Sequence, residues 1–167
     1  SNINLQIITT SNGIKYSEYA LSLNPDDPAT NNNLGNLYKL KHDHVKAQNS
    51  FVKAIKLDPK FAAAYNNLGM LKKEKSLLSE AKEHFEQAIT LDPEYPHALN
   101  NLGLLLSEVG DPKLGVKYCS RALEINPKYS DAHSNLLFML LHIPEMDPQK
   151  VFLEHIKFSD QFERPYR

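Results

Sequence analysis

One polar residue type recurs at a fixed spacing along the chain. Asparagine stands at Asn33, Asn67, Asn101 and Asn135, each 34 residues after the one before. A carboxamide offers two hydrogen-bond donors and an acceptor, so it can pair with a peptide N–H and a peptide C=O at the same time. Asparagine is also a poorer helix former than Glu, Lys or Ala. If the four residues lie on equivalent faces of stacked elements, the row indicates a surface that holds an extended peptide backbone.

The same spacing governs other residue types, so the whole chain is periodic. Three further rows, each with a step of 34 residues, are Gly35, Gly69 and Gly103; Ala20, Ala54, Ala88 and Ala122; and Pro25, Pro59, Pro93 and Pro127. A fixed period of this length is typical of a solenoid, in which each unit packs against its neighbours.

Each repeat reads as two helices. Counting from residues 28, 62, 96 and 130 places the recurring glycine at position 8. Positions 4, 7, 8 and 11 form the buried stripe of a first helix, and positions 20, 24 and 27 form that of a second helix. The small residues at positions 8 and 20 predict a close crossing of the two helices. Proline at position 32 ends the second helix, because proline disfavours helical dihedral angles in the residue before it.

This pattern resembles the tetratricopeptide repeat, which implies an all-α fold: a right-handed α-solenoid of helix-turn-helix units. We predict three complete repeats over residues 28–129, namely 28–61, 62–95 and 96–129. Residues 1–27 are expected to be the remnant of a preceding repeat, with its second helix at about 11–23. Because the array starts in mid-repeat, we expect a fragment of a longer protein.

The C-terminal segment, residues 130–167, leaves the pattern. A fourth first helix is predicted over about 129–142 and a long capping helix over about 148–163. Val151, Phe158 and Phe162 lie on one stripe of the capping helix. We expect this stripe to cover Phe138 and Leu141 on the fourth first helix.

The segment from His133 to Arg167 is similar to a second known pattern. Ser134 to Phe138, Asp147, Pro148, Phe152 and His155 match the junction that precedes the catalytic region in bacterial O-linked N-acetylglucosamine transferase-like glycosyltransferases. This resemblance implies that the parent carries a C-terminal catalytic domain absent from this chain, which itself is not expected to be an enzyme. The chain would then be the part that selects the substrate. A free-standing interaction module is the other interpretation.

The predicted binding surface is the outward stripe of the first helices, at positions 2, 5, 6, 9, 12 and 13. Its candidate groove residues are Asn33, Asn67, Asn101 and Asn135 at position 6, with Asn32, Asn66, Asn100 and Asn36 beside them. In the glycosyltransferase family, an asparagine ladder at position 6 holds peptide backbone. Changing all four ladder residues to Ala should then weaken binding and leave stability nearly intact. The alternative is that the amides bond across neighbouring first helices and hold the stack together.

Composition narrows the partner to a protein or an extended peptide. A formal net charge of −1 and a pI near 6.6 disfavour nucleic acid. The sequence contains no run of about 18 consecutive apolar residues, so it predicts no membrane-spanning helix. Cys119 is the only cysteine, which favours a cytoplasmic location. No phosphate loop, catalytic triad or convincing metal motif points to a cofactor. The positions at which carboxylate-clamp repeats carry Lys or Arg are here Asn32, Asn36, Asn67, His97 and Asn101, so that subclass is disfavoured.

Overall fold

The computed structural model describes residues 2–163, with side chains from residue 9 to residue 162. Within that range the chain is all-α, as predicted, and contains no strand. The helices are α1 Asn2–Leu23, α2 Pro28–Leu40, α3 His44–Leu57, α4 Ala62–Glu74, α5 Leu78–Leu91, α6 Pro96–Glu108, α7 Pro112–Ile125, α8 Ser130–Leu141 and α9 Pro148–Phe158, followed by a π-helical segment Ser159–Glu163. No helix of the described range is long and apolar enough to cross a membrane.

The helix boundaries follow from short polar caps and prolines. Several helices begin at an aspartate whose carboxylate accepts backbone N–H bonds of the first turn; these are Asp27, Asp43, Asp111 and Asp147. The second helices end at residues in extended conformations, each followed by the recurring proline: Asp58, Asp92 and Asn126. The turn inside each repeat uses a left-handed residue at position 15, namely His42, Ser76 and Gly110.

The first and second helix of each repeat cross where the position-8 glycine lies. A Cβ atom built on Gly35 would stand 2.5 Å from the ring of Phe51, and one on Gly69 would stand 2.7 Å from Phe85. Both rings are fully buried. On Gly103 the Cβ would stand 2.8 Å from the carbonyl oxygen of Gly115. The glycines therefore leave the space that the facing helix occupies.

The chain divides into two compact units, one ending at Asp92 and the other beginning at Pro93. In the first unit, consecutive helices from α1 to α5 pack on one another, and α2 also contacts α4. In the second unit, α6 packs on α7, α7 on α8 and α8 on α9, and α6 also contacts α8. First helices of adjacent repeats are thus direct neighbours within each unit.

Helix α1 is longer than the remnant helix predicted from the sequence. It begins at Asn2 rather than near residue 11. Its Ile14 joins a buried cluster with Leu34 and Tyr38 of α2. The hydroxyl of Tyr38 donates a 2.7 Å hydrogen bond to Glu18. Burial, and then this carboxylate, raise the pKa of Tyr38 to about 12.

Helix α9 packs on α8, although not where the sequence predicts. Val151 packs against the buried cluster of Leu136, Met139 and Leu140. The rings of Phe158 and Phe162 meet His133 edge-on, at centroid distances of 5.4 and 5.9 Å. The expectation that α9 covers Phe138 and Leu141 is wrong, since both remain exposed. The reason is that α9 covers the core stripe of α8, which lies on a different face of that helix.

His133 is an ionisable side chain within this contact. It is buried, and neither ring nitrogen has a hydrogen-bond partner within the described residues. Its Nε2 lies 3.6 Å from Glu154, whose carboxylate also binds Lys157 at 2.6 Å. Burial lowers the pKa of His133 below its ordinary value of 6.5, and Glu154 opposes that shift only in part.

We expect acidification to destabilise the second unit through this histidine. The pKa of His133 is lower in the folded chain than its ordinary value of 6.5. The contribution of the neutral histidine to stability is therefore complete above pH 6.5 and is lost as the pH falls toward the pKa of the folded state. Urea unfolding followed across this range should show a smaller loss for His133→Phe than for the wild type. Equal losses in the two proteins would show that His133 does not carry the effect.

Candidate functional site

The position-6 asparagines lie on the first helices α2, α4, α6 and α8, at equivalent points. Asn33 is exposed, whereas Asn67, Asn101 and Asn135 are half-buried. Asn36, one helical turn after Asn32 and Asn33, is also half-buried. The repeat thus brings one amide per first helix to the same flank of each unit.

The position-5 asparagines are not on the outward surface that the sequence predicts for them. Asn32, Asn66 and Asn100 are only 6%, 3% and 4% exposed. The prediction fails because a helical wheel takes account only of the packing between the two helices of one repeat and leaves out contacts with neighbouring repeats. In the folded chain α4 lies beside α2 and α8 lies beside α6, and these neighbours contact the flank that carries Asn32 and Asn100.

Buried and half-buried asparagines pair across adjacent repeats. In the first unit, Nδ2 of Asn67 donates to Oδ1 of Asn32 at 2.9 Å. In the second unit, Nδ2 of Asn135 donates to Oδ1 of Asn100 at 3.0 Å. Each bond satisfies a buried oxygen and fixes the rotamer of the half-buried amide. The side-chain oxygen and second amide hydrogen of Asn67 and Asn135 have no partner among the described residues.

Asn100 is held by a larger network. Its Nδ2 donates to the hydroxyl of Tyr129 at 3.4 Å, and the thiol of Cys119 lies 3.6 Å from its Oδ1. The ring of Tyr129 packs against His97, with centroids 5.0 Å apart. Burial raises the pKa of Tyr129, which keeps the phenol neutral.

Sequence reasoning missed Tyr129, although a signal for it existed. An aromatic residue closes each of the three complete repeats at position 34: Phe61, Tyr95 and Tyr129. This row has the same 34-residue step as the asparagines. The hydroxyl of Tyr129 accepts a hydrogen bond from the buried position-5 amide of Asn100 in the same unit.

Cys119 is expected to be unreactive in the folded protein. It is fully buried, and burial raises the pKa of its thiol to about 12. Thiolate is the nucleophile, so an alkylating reagent at mildly alkaline pH should label native protein very slowly and urea-unfolded protein completely. Because the chain has one cysteine, mass spectrometry reads the result directly. Rapid labelling without denaturant would contradict the burial of this side chain.

The surroundings of the amide pairs differ between the two units. Further along the first helices of the first unit, Lys39 and Glu74 form an ion pair of 3.6 Å. In the second unit the same face carries Leu104, Phe138 and Leu141. At the equivalent positions the first unit also carries the apolar Leu40 and Met70, and the second also carries the polar Ser107, Glu108 and His142. Both surfaces are therefore mixed, with somewhat more apolar residues in the second unit.

Solved structures with the same fold support the repeat architecture. The pilF protein of Pseudomonas aeruginosa aligns with a TM-score of 0.78 at 21% identity, covering 96% of this chain and 70% of its own. MamA from Desulfovibrio magneticus RS-1 aligns at 0.75 and 19% identity, covering 98% and 93%. YrrB, a TPR protein described as having an unusual peptide-binding site, aligns at 0.73 and 25% identity, covering 87% and 74%. No curated protein sequence matches the chain significantly.

Family models match the repeats themselves. One model of the tetratricopeptide repeat matches residues 28–61, and another matches residues 62–95 and 96–129. Together the matched segments span more than half of the chain. The fold of this family typically serves binding rather than catalysis. With its paired helices crossing at glycine and its first helices stacked side by side, the chain belongs to the tetratricopeptide repeat family.

Proposed function

We propose that this protein–protein interaction module holds a partner as an extended peptide, along the flank of the first helices that carries the amide pairs. The observation that supports this most is the fixed orientation of Asn67 and Asn135. One N–H of each amide is committed to a buried oxygen, which leaves an acceptor and a donor pointing away from that bond. A peptide bond needs one donor and one acceptor, so each amide can pair with one peptide unit.

Under this proposal the eight predicted asparagines divide into two roles. Asn33 and Asn67 of the first unit, and Asn101 and Asn135 of the second, are the residues that contact peptide backbone in their own unit, and Asn36 extends the polar surface of the first unit. Asn32, Asn66 and Asn100 are buried, and Asn32 and Asn100 act as positioning residues for Asn67 and Asn135. Each amide has two N–H hydrogens, so one can bond to the neighbouring repeat while the other bonds to the peptide. A fixed amide also loses less rotamer entropy on binding than a free one.

The proposal agrees with what is said of one structural relative. YrrB is described as a TPR protein with a peptide-binding site. The present chain resembles it in fold over 87% of its length. A peptide partner is therefore consistent with both the repeat family and the chemistry of the amides.

A display library of short random peptides tests the proposal with a defined probe. We expect the wild-type chain to enrich peptides, and we expect Asn67→Ala with Asn135→Ala to bind the same peptides more weakly. A net hydrogen bond contributes about 0.5–1.5 kcal/mol, so each lost bond should weaken binding roughly two- to tenfold. Asn49→Ala, an exposed asparagine on the second helix α3, is the matched control and should bind like the wild type. Equal binding by all three proteins would overturn the proposal.

The second candidate is the substrate-recognition region of an O-linked N-acetylglucosamine transferase-like enzyme. The observation that favours it is the match over Ser134 to Phe138, Asp147, Pro148, Phe152 and His155. In the structure Asp147 caps α9, and Phe152 and His155 lie on that helix. Sequencing the gene beyond the codon for Arg167 tests it: a following nucleotide-sugar-binding domain supports this parent, and an immediate stop codon excludes it.

A further inference from the structure

The last first helix carries an exposed apolar stripe directly after its amide pair. Phe138 is 55% exposed and Leu141 is 62% exposed. They follow the half-buried Asn135 at intervals of three residues, so all three side chains lie on one side of α8. The ring of Phe138 also packs on His142, with centroids 4.2 Å apart. Because α9 covers the other side of α8, nothing among the described residues covers this stripe.

The stripe leads into an apolar cleft. A cavity of about 460 Å³ lies between the end of α8, the following loop and the start of α9. Leu141, Val151 and Phe152 line it, and His155 is the one lining residue with a polar side chain. Phe152 is 64% exposed at the edge of this cleft. A concave apolar site with few polar groups is the usual form of an anchor pocket.

The dimensions suit a peptide that already lies on Asn135. The six residues from Asn135 to Leu141 advance about 9 Å along a helix. An extended chain advances about 3.3 Å per residue, so nearly three peptide residues cover that distance. The equivalent positions of α4, which donates the amide bond in the first unit, carry Met70 and the charged Lys73, so two apolar residues follow the amide on α8 but one on α4. The apolar site is thus a feature of the second unit, continuous with its amide pair.

We propose that the cleft lined by Leu141 and Phe152 is an anchor site for one large apolar side chain, aromatic or Leu or Met, of the extended peptide, with the exposed Phe138 one helical turn before Leu141 beside it. This inference rests on the proposed peptide-binding function and adds the sequence preference that the amides lack. The amide pair holds backbone of any sequence, whereas the cleft selects a side chain two to three residues away. The anchor thereby sets both the register and the specificity of the bound peptide.

The test compares two adjacent exposed residues of α9. Phe152 lines the cleft, whereas Leu153, which is 56% exposed, does not. Peptides enriched from a random display library by the wild-type chain should share a large apolar residue at one position. Selection with Phe152→Ser should lose that preference, and selection with Leu153→Ser should keep it. Changing the shared residue to Ala should weaken binding on the order of tenfold to the wild type and little to Phe152→Ser.

The other results separate this inference from the function on which it rests. Peptides that bind through the asparagines but share no apolar position, or whose preference survives Phe152→Ser, would overturn the anchor alone. Enrichment of no peptide would overturn the proposed function together with the anchor. Sedimentation that shows a wild-type dimer and a monomeric Phe152→Ser protein would also overturn the anchor, because the surface would then be an interface between two copies.

Discussion

Replacing Gly103 by Ala is expected to destabilise the chain by about 2 kcal/mol. The added Cβ would stand 2.8 Å from both the carbonyl oxygen of Gly115 and the sulfur of Cys119. Backbone cannot rotate away as a side chain can, so α6 and α7 must separate. Overpacking of this kind costs about 1–3 kcal/mol, and the better helix propensity of Ala returns only up to about 1 kcal/mol. Urea unfolding monitored by circular dichroism measures the difference.

Gly13→Ala is the matched control, since it makes the same change inside another helix. There the Cβ meets the methyl groups of Leu37 at 3.1 and 3.2 Å. Leu37 is half-exposed and can rotate away. We therefore expect stability to be unchanged or raised by up to about 1 kcal/mol. If both variants lose stability equally, the close crossing of α6 and α7 is not the cause of the loss at Gly103.

Replacing Asn135 by Ala is expected to cost about 1–3 kcal/mol of stability, because Oδ1 of the buried Asn100 loses its amide donor and keeps only the weak thiol donor of Cys119. The sequence alone predicts the opposite, since Ala is the better helix former and a surface amide would contribute little. The hydrogen bond to Asn100 reverses this expectation for Asn135, and the equivalent bond to Asn32 reverses it for Asn67. Stability and peptide binding should therefore fall together in these variants.

Asn33→Ala separates the two contributions. Asn33 occupies the same position in the first complete repeat, but it is exposed and makes no hydrogen bond among the described residues. Its replacement should leave stability unchanged or raise it by up to about 0.7 kcal/mol. A loss of stability equal to that of Asn135→Ala would show that the amide pair is not what stabilises the stack.

The repeat architecture could be predicted from the sequence because it depends on local rules. Proline at position 32 and glycine at position 8 act through their own backbone and their immediate contacts. The close approach of Gly69 to Phe85 is an example, since both residues belong to one repeat. The all-α class and the capping of the last repeat by a terminal helix followed from the same rules.

Packing between repeats could not be predicted in the same way. On the helical wheel of α6, Asn100 appears to be a surface residue. In the folded chain it is buried by contacts with α8, Cys119 and Tyr129. The direction in which α9 leaves the loop decides that it covers Leu136 and Leu140 rather than Phe138. Such contacts depend on the angle between elements, which the period of the sequence does not contain.

The contact between ladder amides and peptide backbone is tested most directly by a double-mutant cycle. The first change is in the peptide: a peptide enriched by the wild-type chain is made with and without an N-methyl group on each backbone nitrogen in turn. The second change is in the protein, Asn135→Ala. Calorimetry on folded protein measures the affinity of each combination. We predict that methylation at one position weakens wild-type binding roughly two- to tenfold and has almost no further effect in Asn135→Ala. A methylation effect of the same size in both proteins, at every position, would contradict a backbone contact at Asn135.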